Sequence, residues 1–199
     1  MTHDDVNKSR RRFLVGATSV VGGVGVVGAA VPFVASWNPS AKAKSAGAPV
    51  KVNISKLEPG QQMIVEWRGK PVWVVRRTQE MLQNIDKLIE QGILADPQSE
   101  REQQPPYAKN KYRSIKDEYL IAVGLCTHLG CSPKYRPEVG PEDLGEEWLG
   151  GFFCPCHGSR FDLAGHVYKS VPAPTNLVIP PHRYLDEITV EVGVDQEAA

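Results

Sequence analysis

The feature that most constrains this chain is a pair of short boxes that together hold all four of its cysteines. The first box reads Cys126-Thr127-His128-Leu129-Gly130-Cys131, and the second reads Cys154-Pro155-Cys156-His157-Gly158-Ser159. Two cysteines and two histidines can bind either a structural zinc ion or a two-iron, two-sulfur cluster with two histidine ligands on one iron. Zinc would leave Cys131 and Cys156 without a role. If each box gave one ligand pair and one half of a disulfide, all six residues would be used, so the pattern favours the iron–sulfur cluster.

In these two boxes the chain resembles the Rieske iron–sulfur subunits of ubiquinol–cytochrome c reductase, the quinol-oxidising cytochrome bc complex. The resemblance implies one [2Fe-2S] cluster, with two cysteines on the inner iron and two histidines on the outer, more exposed iron. It also implies a disulfide between Cys131 and Cys156. The implied ligands are Cys126 and Cys154 for the inner iron and His128 and His157 for the outer iron.

The resemblance extends to residues around the cluster. Ser159 matches a serine that donates a hydrogen bond to cluster sulfur, whereas Phe161 stands where many relatives carry a tyrosine that donates another. The run Val171-Pro172-Ala173-Pro174 resembles the proline-rich loop that covers the cluster from a third side. The apolar docking rim implied around the outer histidine consists of Leu129, Gly130 and Pro172.

The function implied by the resemblance is electron transfer coupled to proton release. Imidazoles are neutral ligands, so replacing two thiolates raises the charge and the potential of the cluster. His157 would accept a hydrogen bond from ubiquinol and take up an electron with a proton, and the reduced head would pass the electron to a c-type cytochrome. The chain would be one subunit of a proton-translocating oxidoreductase, without catalysis of its own, in a dimeric complex with cytochrome b and c-type cytochrome subunits.

The N-terminal region carries an export signal and an apolar stretch. Ser9-Arg10-Arg11-Arg12-Phe13-Leu14 matches the twin-arginine signal, although a simple basic flank of a membrane helix is the alternative. No residue from Phe13 to Ser36 is charged, and about 20 apolar residues suffice to span a bilayer core. The basic residues before this stretch place the N-terminus in the cytoplasm. Ala41-Lys42-Ala43 resembles a cleavage site, but it lies well beyond the apolar core, and the resemblance implies an uncleaved anchor.

These features predict a single-pass protein of the bacterial inner membrane, in contact with lipid, with its head in the periplasm. A disulfide is consistent with that oxidising compartment. The 23 basic and 23 acidic residues balance, so no electrostatic argument for binding nucleic acid arises.

The 199 residues allow one domain of ordinary size plus appendages, and 18 Gly with 16 Pro favour a loop-rich β protein. We expect the signal and anchor at 1–36, a flexible hinge at 37–49 and a head at 50–199. The head is expected to be mainly β, a Rieske-type antiparallel β-sandwich with one inserted helix. Its small cluster-binding subdomain is expected at about 122–175.

Local patterns place the elements of the head. Alternating apolar residues predict strands, and Arg68-Gly69-Lys70 predicts a hairpin. A three- and four-residue apolar period predicts a helix over 78–91, capped by Thr78 and ended by Gly92. The predicted strands cover 51–54, 63–67, 71–76, 119–123, 177–179 and 187–192, and the predicted surface loop covers 96–111. Trp67 and Trp73 are interpreted as core or sheet-face residues, and His166 and His182 as surface or turn residues.

Three other interpretations remain at this point. The chain could be the Rieske subunit of another exported redox enzyme such as arsenite oxidase. It could be of the ferredoxin or oxygenase type, which lacks the extra cysteine pair. It could also be a zinc-stapled binding module. The acidic segment 132–153 between the boxes is interpreted as a solvated loop, with contact to a neighbouring subunit as the alternative.

Overall fold

The computed structural model describes residues 7–195, apart from the side chains of residues 42 and 46. His3, to which the sequence assigns no role, lies outside this range. The chain divides into two compact units, residues 1–45 and residues 46–199, which are described separately below.

The N-terminal unit contains one long helix, α1, which spans Lys8–Ala35 and is 28 residues long. Asn7 caps its first turn, because its side-chain oxygen accepts from the backbone N–H groups of Ser9 and Arg10. A helix of this length extends about 42 Å, which exceeds the about 30 Å of a bilayer hydrocarbon core. Its apolar stretch has a mean hydropathy of 2.0 and is not buried within the structure. The helix is therefore long and apolar enough to serve as the predicted anchor.

A short helix, α2 (Ala41–Ala46), lies in the segment 37–49, for which the sequence predicts a flexible hinge. Ser40 caps it, since its side-chain oxygen accepts from the backbone N–H of Ala43 at 3.1 Å. Alanine and lysine are strong helix formers, so helix forms here without any apolar period.

Within residues 46–195, the described part of the head forms three antiparallel sheets of three strands each. The first sheet, in the order β1-β9-β8, consists of Val50–Asn53, Thr189–Val192 and His182–Tyr184. The second, in the order β2-β3-β4, consists of Gln62–Trp67, Lys70–Arg76 and Tyr119–Val123. The third, in the order β5-β6-β7, consists of Lys134–Arg136, Gly151–Cys154 and Ser159–Phe161. Together with the helix α3 (Gln79–Glu90) they confirm the predicted mainly β head.

Several elements are confirmed close to their predicted positions. The hairpin between β2 and β3 turns through Arg68 and Gly69, both of which have positive φ. Thr78 caps α3 by accepting from the backbone N–H of Met81 at 3.2 Å, and Gly92 follows the helix at φ +68°. Capping chemistry and an apolar period were enough to locate this helix.

The strand predicted at 177–179 does not form, and β8 was missed. The backbone N–H of Val123 donates to the carbonyl of Val178, while the backbone N–H of Ile179 donates to the carbonyl of Gln103. Because the backbone hydrogen bonds of Val178 and Ile179 go to two different segments, no regular strand pairing develops. Leu177 and Ile179 are buried and Val178 is exposed, but the apolar run does not show which backbone segments these residues pair with.

Two segments predicted to be solvated loops contribute to the core. In the loop 96–111, Ser99 and Ala108 have no exposed surface. In the segment between the boxes, Leu144 and Trp148 are buried in one apolar cluster with Leu88 of α3. The solvated-loop interpretation is therefore wrong for these side chains, although most of the acidic side chains of 132–153 are exposed.

The second sheet separates the apolar core of the head into two parts. On β3, Trp73 and Val75 face one cluster and Val72 and Val74 face the other, as the two-residue period of a strand requires. Trp73 stacks on Phe152 of β6 with ring centroids 4.7 Å apart. This contact joins the second sheet to the third, which carries the second cysteine–histidine box, and it confirms Trp73 as a core residue.

Candidate metal centre

Each of the two boxes folds into a loop, and the two loops are closed by equivalent backbone hydrogen bonds. The N–H of Gly130 donates to the carbonyl of Cys126, and the N–H of Gly158 donates to the carbonyl of Cys154, both at 2.9 Å. The two glycines have φ of +80° and +78°, a region that residues with a side chain rarely adopt. Equal spacing in the sequence has thus produced two equivalent loops.

The predicted disulfide between Cys131 and Cys156 is present and ties the two loops together. The sulfur atoms of Cys131, Cys154 and Cys156 all lie within 4.8 Å of one another, which resembles a metal-binding group. Two of these three sulfurs are consumed in the disulfide, so only Cys154 among them is free to bind a metal.

The two remaining thiols are buried below the loops. Cys126 is 4% exposed and Cys154 is 2% exposed, and both belong to the same apolar cluster as Phe161. Burial and the neighbouring Cys126 sulfur raise the pKa of the Cys154 thiol. Metal binding requires thiolates, and a buried thiolate is costly without a neighbouring cation. The donor set therefore suits a bound metal centre that neutralises both sulfurs.

The histidines of the two boxes lie together. The ring centroids of His128 and His157 are 4.8 Å apart, and the ring planes are nearly perpendicular. His128 is half-buried and His157 is exposed. The arrangement thus places two thiols inside and two imidazoles outside, as a cluster with one buried and one exposed iron would require.

A third loop, residues 171–174, is hydrogen-bonded to the second box. The backbone N–H of Ala173 donates to the hydroxyl oxygen of Ser159 at 3.1 Å. Just beyond it, the hydroxyl of Thr127 in the first box donates to the carbonyl of Thr175 at 2.7 Å. The contribution of Thr127 could not be predicted from the sequence, since nothing in its spacing indicates a partner 48 residues away.

The predicted surroundings of the cluster divide into a buried part and an exposed part. Ser159 and Phe161 have no exposed surface. Because the Ser159 oxygen accepts from Ala173, its own proton remains available to donate. Leu129 is 72% exposed, and Gly130 and Pro172 are exposed as well, so all three predicted rim residues lie at the surface.

The other two histidines were predicted to lie at the surface or in a turn, and the surface position is wrong for both. His166 is 0% exposed, and its Nδ1 lies 2.9 Å from the buried carboxylate of Asp162. His182 is 1% exposed, and its Nδ1 lies 2.8 Å from the carbonyl of Pro180. Burial lowers the pKa of His182. Both side chains have a structural partner close in sequence, at a separation of four and two residues.

Two buried arginines were also missed. Arg77 and Arg113 are 2% and 0% exposed, and both direct their guanidinium groups at the turn that contains Asp162 and His166. Burial lowers the pKa of each guanidinium to about 10, which is still above neutral pH, so both remain charged.

The sequence matches two protein families. Residues 103–182 match the family described as the Rieske [2Fe-2S] domain, and residues 1–40 match the family described as the "Ubiquitinol-cytochrome C reductase Fe-S subunit TAT signal". The first match contains both boxes and the 171–174 loop. The second contains the twin arginines and the apolar helix.

Similar proteins cover the whole chain. The ubiquinol-cytochrome c reductase iron-sulfur subunit of Allochromatium vinosum is 63% identical over 199 residues, which are 100% of this chain and 95% of that protein. The protein of the same name from Blastochloris viridis is 40% identical over 192 residues, which are 96% of each chain. A solved chain of a hyperthermophilic respiratory Complex III is 27% identical, with a TM-score of 0.48, covering 90% of this chain and 98% of that one.

Proposed function

Because the chain belongs to the family of Rieske iron–sulfur subunits of ubiquinol–cytochrome c reductase, we propose that it oxidises ubiquinol within that complex and passes the electron to a c-type cytochrome. The observation that carries this proposal is the pair of adjacent imidazoles above two buried thiols. Relatives of this name match along nearly the entire chain, so the arsenite-oxidase alternative is not favoured.

The proposed ligands of the Rieske [2Fe-2S] cluster are the two free thiols and the two adjacent imidazoles. Cys126 and Cys154 are the only free cysteines, since the other two are joined in the disulfide. When bound, the cluster would supply a one-electron acceptor. The ligands, two on each iron, are Cys126 with Cys154 and His128 with His157.

His157 is the proposed contact to the quinol. Its imidazole is exposed, and a ring nitrogen that is free to accept a hydrogen bond can receive the quinol hydroxyl proton. Leu129 and Pro172 are exposed apolar residues on the first and third loops, and contact with the quinol site there would exclude water from the transferred proton. The hydroxyl of Ser159 is buried and could donate to a sulfur of the bound cluster, which would stabilise the more negative, reduced state.

The proposed setting is a dimeric complex with cytochrome b and a c-type cytochrome. In this proposal α1 stays as a single-pass anchor among the lipids of the bacterial inner membrane, and its basic N-terminal end lies in the cytoplasm. The head then lies in the periplasm, an oxidising compartment that suits the disulfide. We further propose 1–36 as signal and anchor, 37–49 as hinge and 50–199 as head, with the cluster-binding subdomain at about 122–175.

Electron paramagnetic resonance of dithionite-reduced membranes tests the function directly. We expect a Rieske spectrum whose line shape and potential change when a quinol-site inhibitor such as stigmatellin is added. That change would support contact between His157 and the quinol site. A Rieske spectrum that is indifferent to the inhibitor would contradict quinol oxidation, and zinc without a spectrum would contradict the cluster.

Replacing Phe161 by tyrosine is expected to raise the reduction potential. Phe161 is fully buried in the apolar cluster of side chains that contains both free thiols. A tyrosine at this position would add a hydroxyl that could donate a hydrogen bond to a ligand sulfur. One hydrogen bond is worth roughly 0.5–1.5 kcal/mol, which is roughly 20–60 mV for a one-electron couple. Redox titration of full-length wild type and Phe161→Tyr measures the difference. Equal potentials would contradict the expected hydrogen bond.

A further inference from the structure

The turn that follows β7 has an unusual set of hydrogen bonds. The carboxylate of Asp162 accepts from the backbone N–H groups of Ala164 and His166 at 2.9 and 2.7 Å through one oxygen. Its other oxygen lies 2.9 Å from Nδ1 of His166. The backbone of Asp162 also accepts from the N–H of Gly165 and donates to the carbonyl of His166, both at 3.0 Å. The turn is thus closed on itself around one buried carboxylate.

Two arginines from distant segments satisfy the carbonyls of this turn. Arg77, at the end of β3, donates to the carbonyl of Leu163 at 3.2 Å. Arg113 donates from one nitrogen to the carbonyls of Ala164 and Gly165, both at 3.3 Å. The carbonyls of Leu163 and Ala164 therefore depend on the two guanidinium groups for a donor, and a buried carbonyl without a donor is destabilising.

Arg113 is held by a second set of contacts on its other nitrogens. Its Nε donates to the hydroxyl of Ser99 at 3.1 Å, and its remaining terminal nitrogen donates to the side-chain oxygen of Gln104 at 2.9 Å. Only the planar fork of a guanidinium can reach all these acceptors at once, whereas an ammonium on a flexible stem cannot. The backbone of Arg113 has φ +52°, in the left-handed region, which is strained for a residue with a side chain.

The clamped turn lies between two segments that face the candidate metal centre. On its N-terminal side, β7 carries Ser159, and on its C-terminal side the chain continues into the loop 171–174. The loop returns to the turn through the backbone N–H of Leu177, which donates to the carbonyl of Gly165 at 2.9 Å. It meets β7 where Ala173 donates to Ser159 at 3.1 Å. The position of β7 and the position of the 171–174 loop therefore both depend on the turn.

We propose that Arg113, with Arg77 beside it, is a positioning residue that sets the reduction potential of the metal centre by holding Ser159 and the 171–174 loop in place. Arg113 touches neither ligand nor substrate and acts through the turn. The inference rests on the proposed function, because it assumes a redox-active cluster above Ser159. Loosening the turn would move Ser159 from the position in which its hydroxyl could donate to a sulfur of the bound cluster, and this would destabilise the reduced state.

The test is Arg113→Lys in the full-length protein, assembled in its membrane complex. We expect a lower midpoint potential by redox titration with paramagnetic resonance detection, because lysine keeps the charge and loses the fork. We also expect faster amide hydrogen exchange at residues 164 and 166. Ser99→Ala removes one contact of Arg113 and should lower the potential by a smaller amount, so it carries the test if Arg113→Lys does not fold.

Two control variants separate positioning from general damage. Arg76→Lys makes the same chemical change at the neighbouring residue, whose guanidinium bonds Glu118 and the carbonyl of Leu57 instead of the turn. Val190→Ala weakens the other apolar cluster, which contains neither free thiol. Neither should change the potential, even where it lowers the melting temperature.

The outcomes are distinguishable. A wild-type potential in Arg113→Lys or in Ser99→Ala, despite a lowered melting temperature, would overturn the inference and leave the proposed function standing. An equal fall of the potential in Val190→Ala would also overturn it, because the effect would then follow stability. A wild-type protein without a Rieske spectrum would overturn the proposed function and this inference with it.

Discussion

Cys126→Ser and Cys154→Ser are each expected to abolish the iron–sulfur cluster. Both thiols are buried, both are free, and each is one of only two cysteine sulfurs available to a metal. Thiolate is the donor that iron–sulfur clusters require, and a serine hydroxyl is a poor substitute. Iron and acid-labile sulfide analysis of the purified full-length variants, together with paramagnetic resonance, measures the loss.

The matched control is Cys131→Ala combined with Cys156→Ala, which removes two cysteines from the same loops. Because these two residues form the disulfide, this variant should retain iron in the folded fraction. It should nevertheless lose stability, since a crosslink that closes a loop with a sequence separation of 25 contributes about 3–4 kcal/mol by the chain-entropy relation. Full iron content in Cys126→Ser, or complete loss only in the double variant, would contradict the division of roles.

Features that depend on residues close together in the sequence were predicted, whereas features that depend on residues far apart in the sequence were missed. Each box is a local loop closed by a backbone hydrogen bond between residues four positions apart, so a few adjacent residues are enough to indicate its metal-binding character. The helix α3 likewise depends on a local period and on the Thr78 cap. The position of α3 was predicted correctly because its causes lie within a few residues along the chain.

The clamp on the turn after β7 could not be predicted in the same way. Arg77 meets Leu163 across 86 residues, and Arg113 meets Ala164 across 51 residues. Arginine is rarely buried fully, so its ordinary interpretation is a surface residue. Only the tertiary fold shows that the carbonyls of one buried turn require these donors. A buried histidine such as His166 was misjudged for the same reason, since its burial depends on segments far along the chain.

Replacing Arg10 and Arg11 together by lysine is expected to prevent export of the head. The pair lies in the Ser-Arg-Arg-x-Phe-Leu pattern, and residues 1–40 match a family described as a TAT signal. A receptor that reads two guanidinium groups would not accept two ammonium groups. The positive charge beside α1 is unchanged, so its orientation preference is retained. We therefore expect cluster-containing protein on the cytoplasmic side, measured by protease accessibility of the head in spheroplasts.

The matched control, Arg12→Lys, changes the variable position of the same pattern and should be exported normally. If the basic residues served only as a flank of the membrane helix, all three lysine substitutions would behave alike, because each preserves the charge. Export of Arg10→Lys/Arg11→Lys at the wild-type level would thus contradict the twin-arginine signal while leaving α1 as an anchor. An export defect confined to the Arg10→Lys/Arg11→Lys variant would instead support the twin-arginine signal. Such a result would fit a signal for the export of a domain that has already folded around its cofactor, followed by the candidate membrane helix α1.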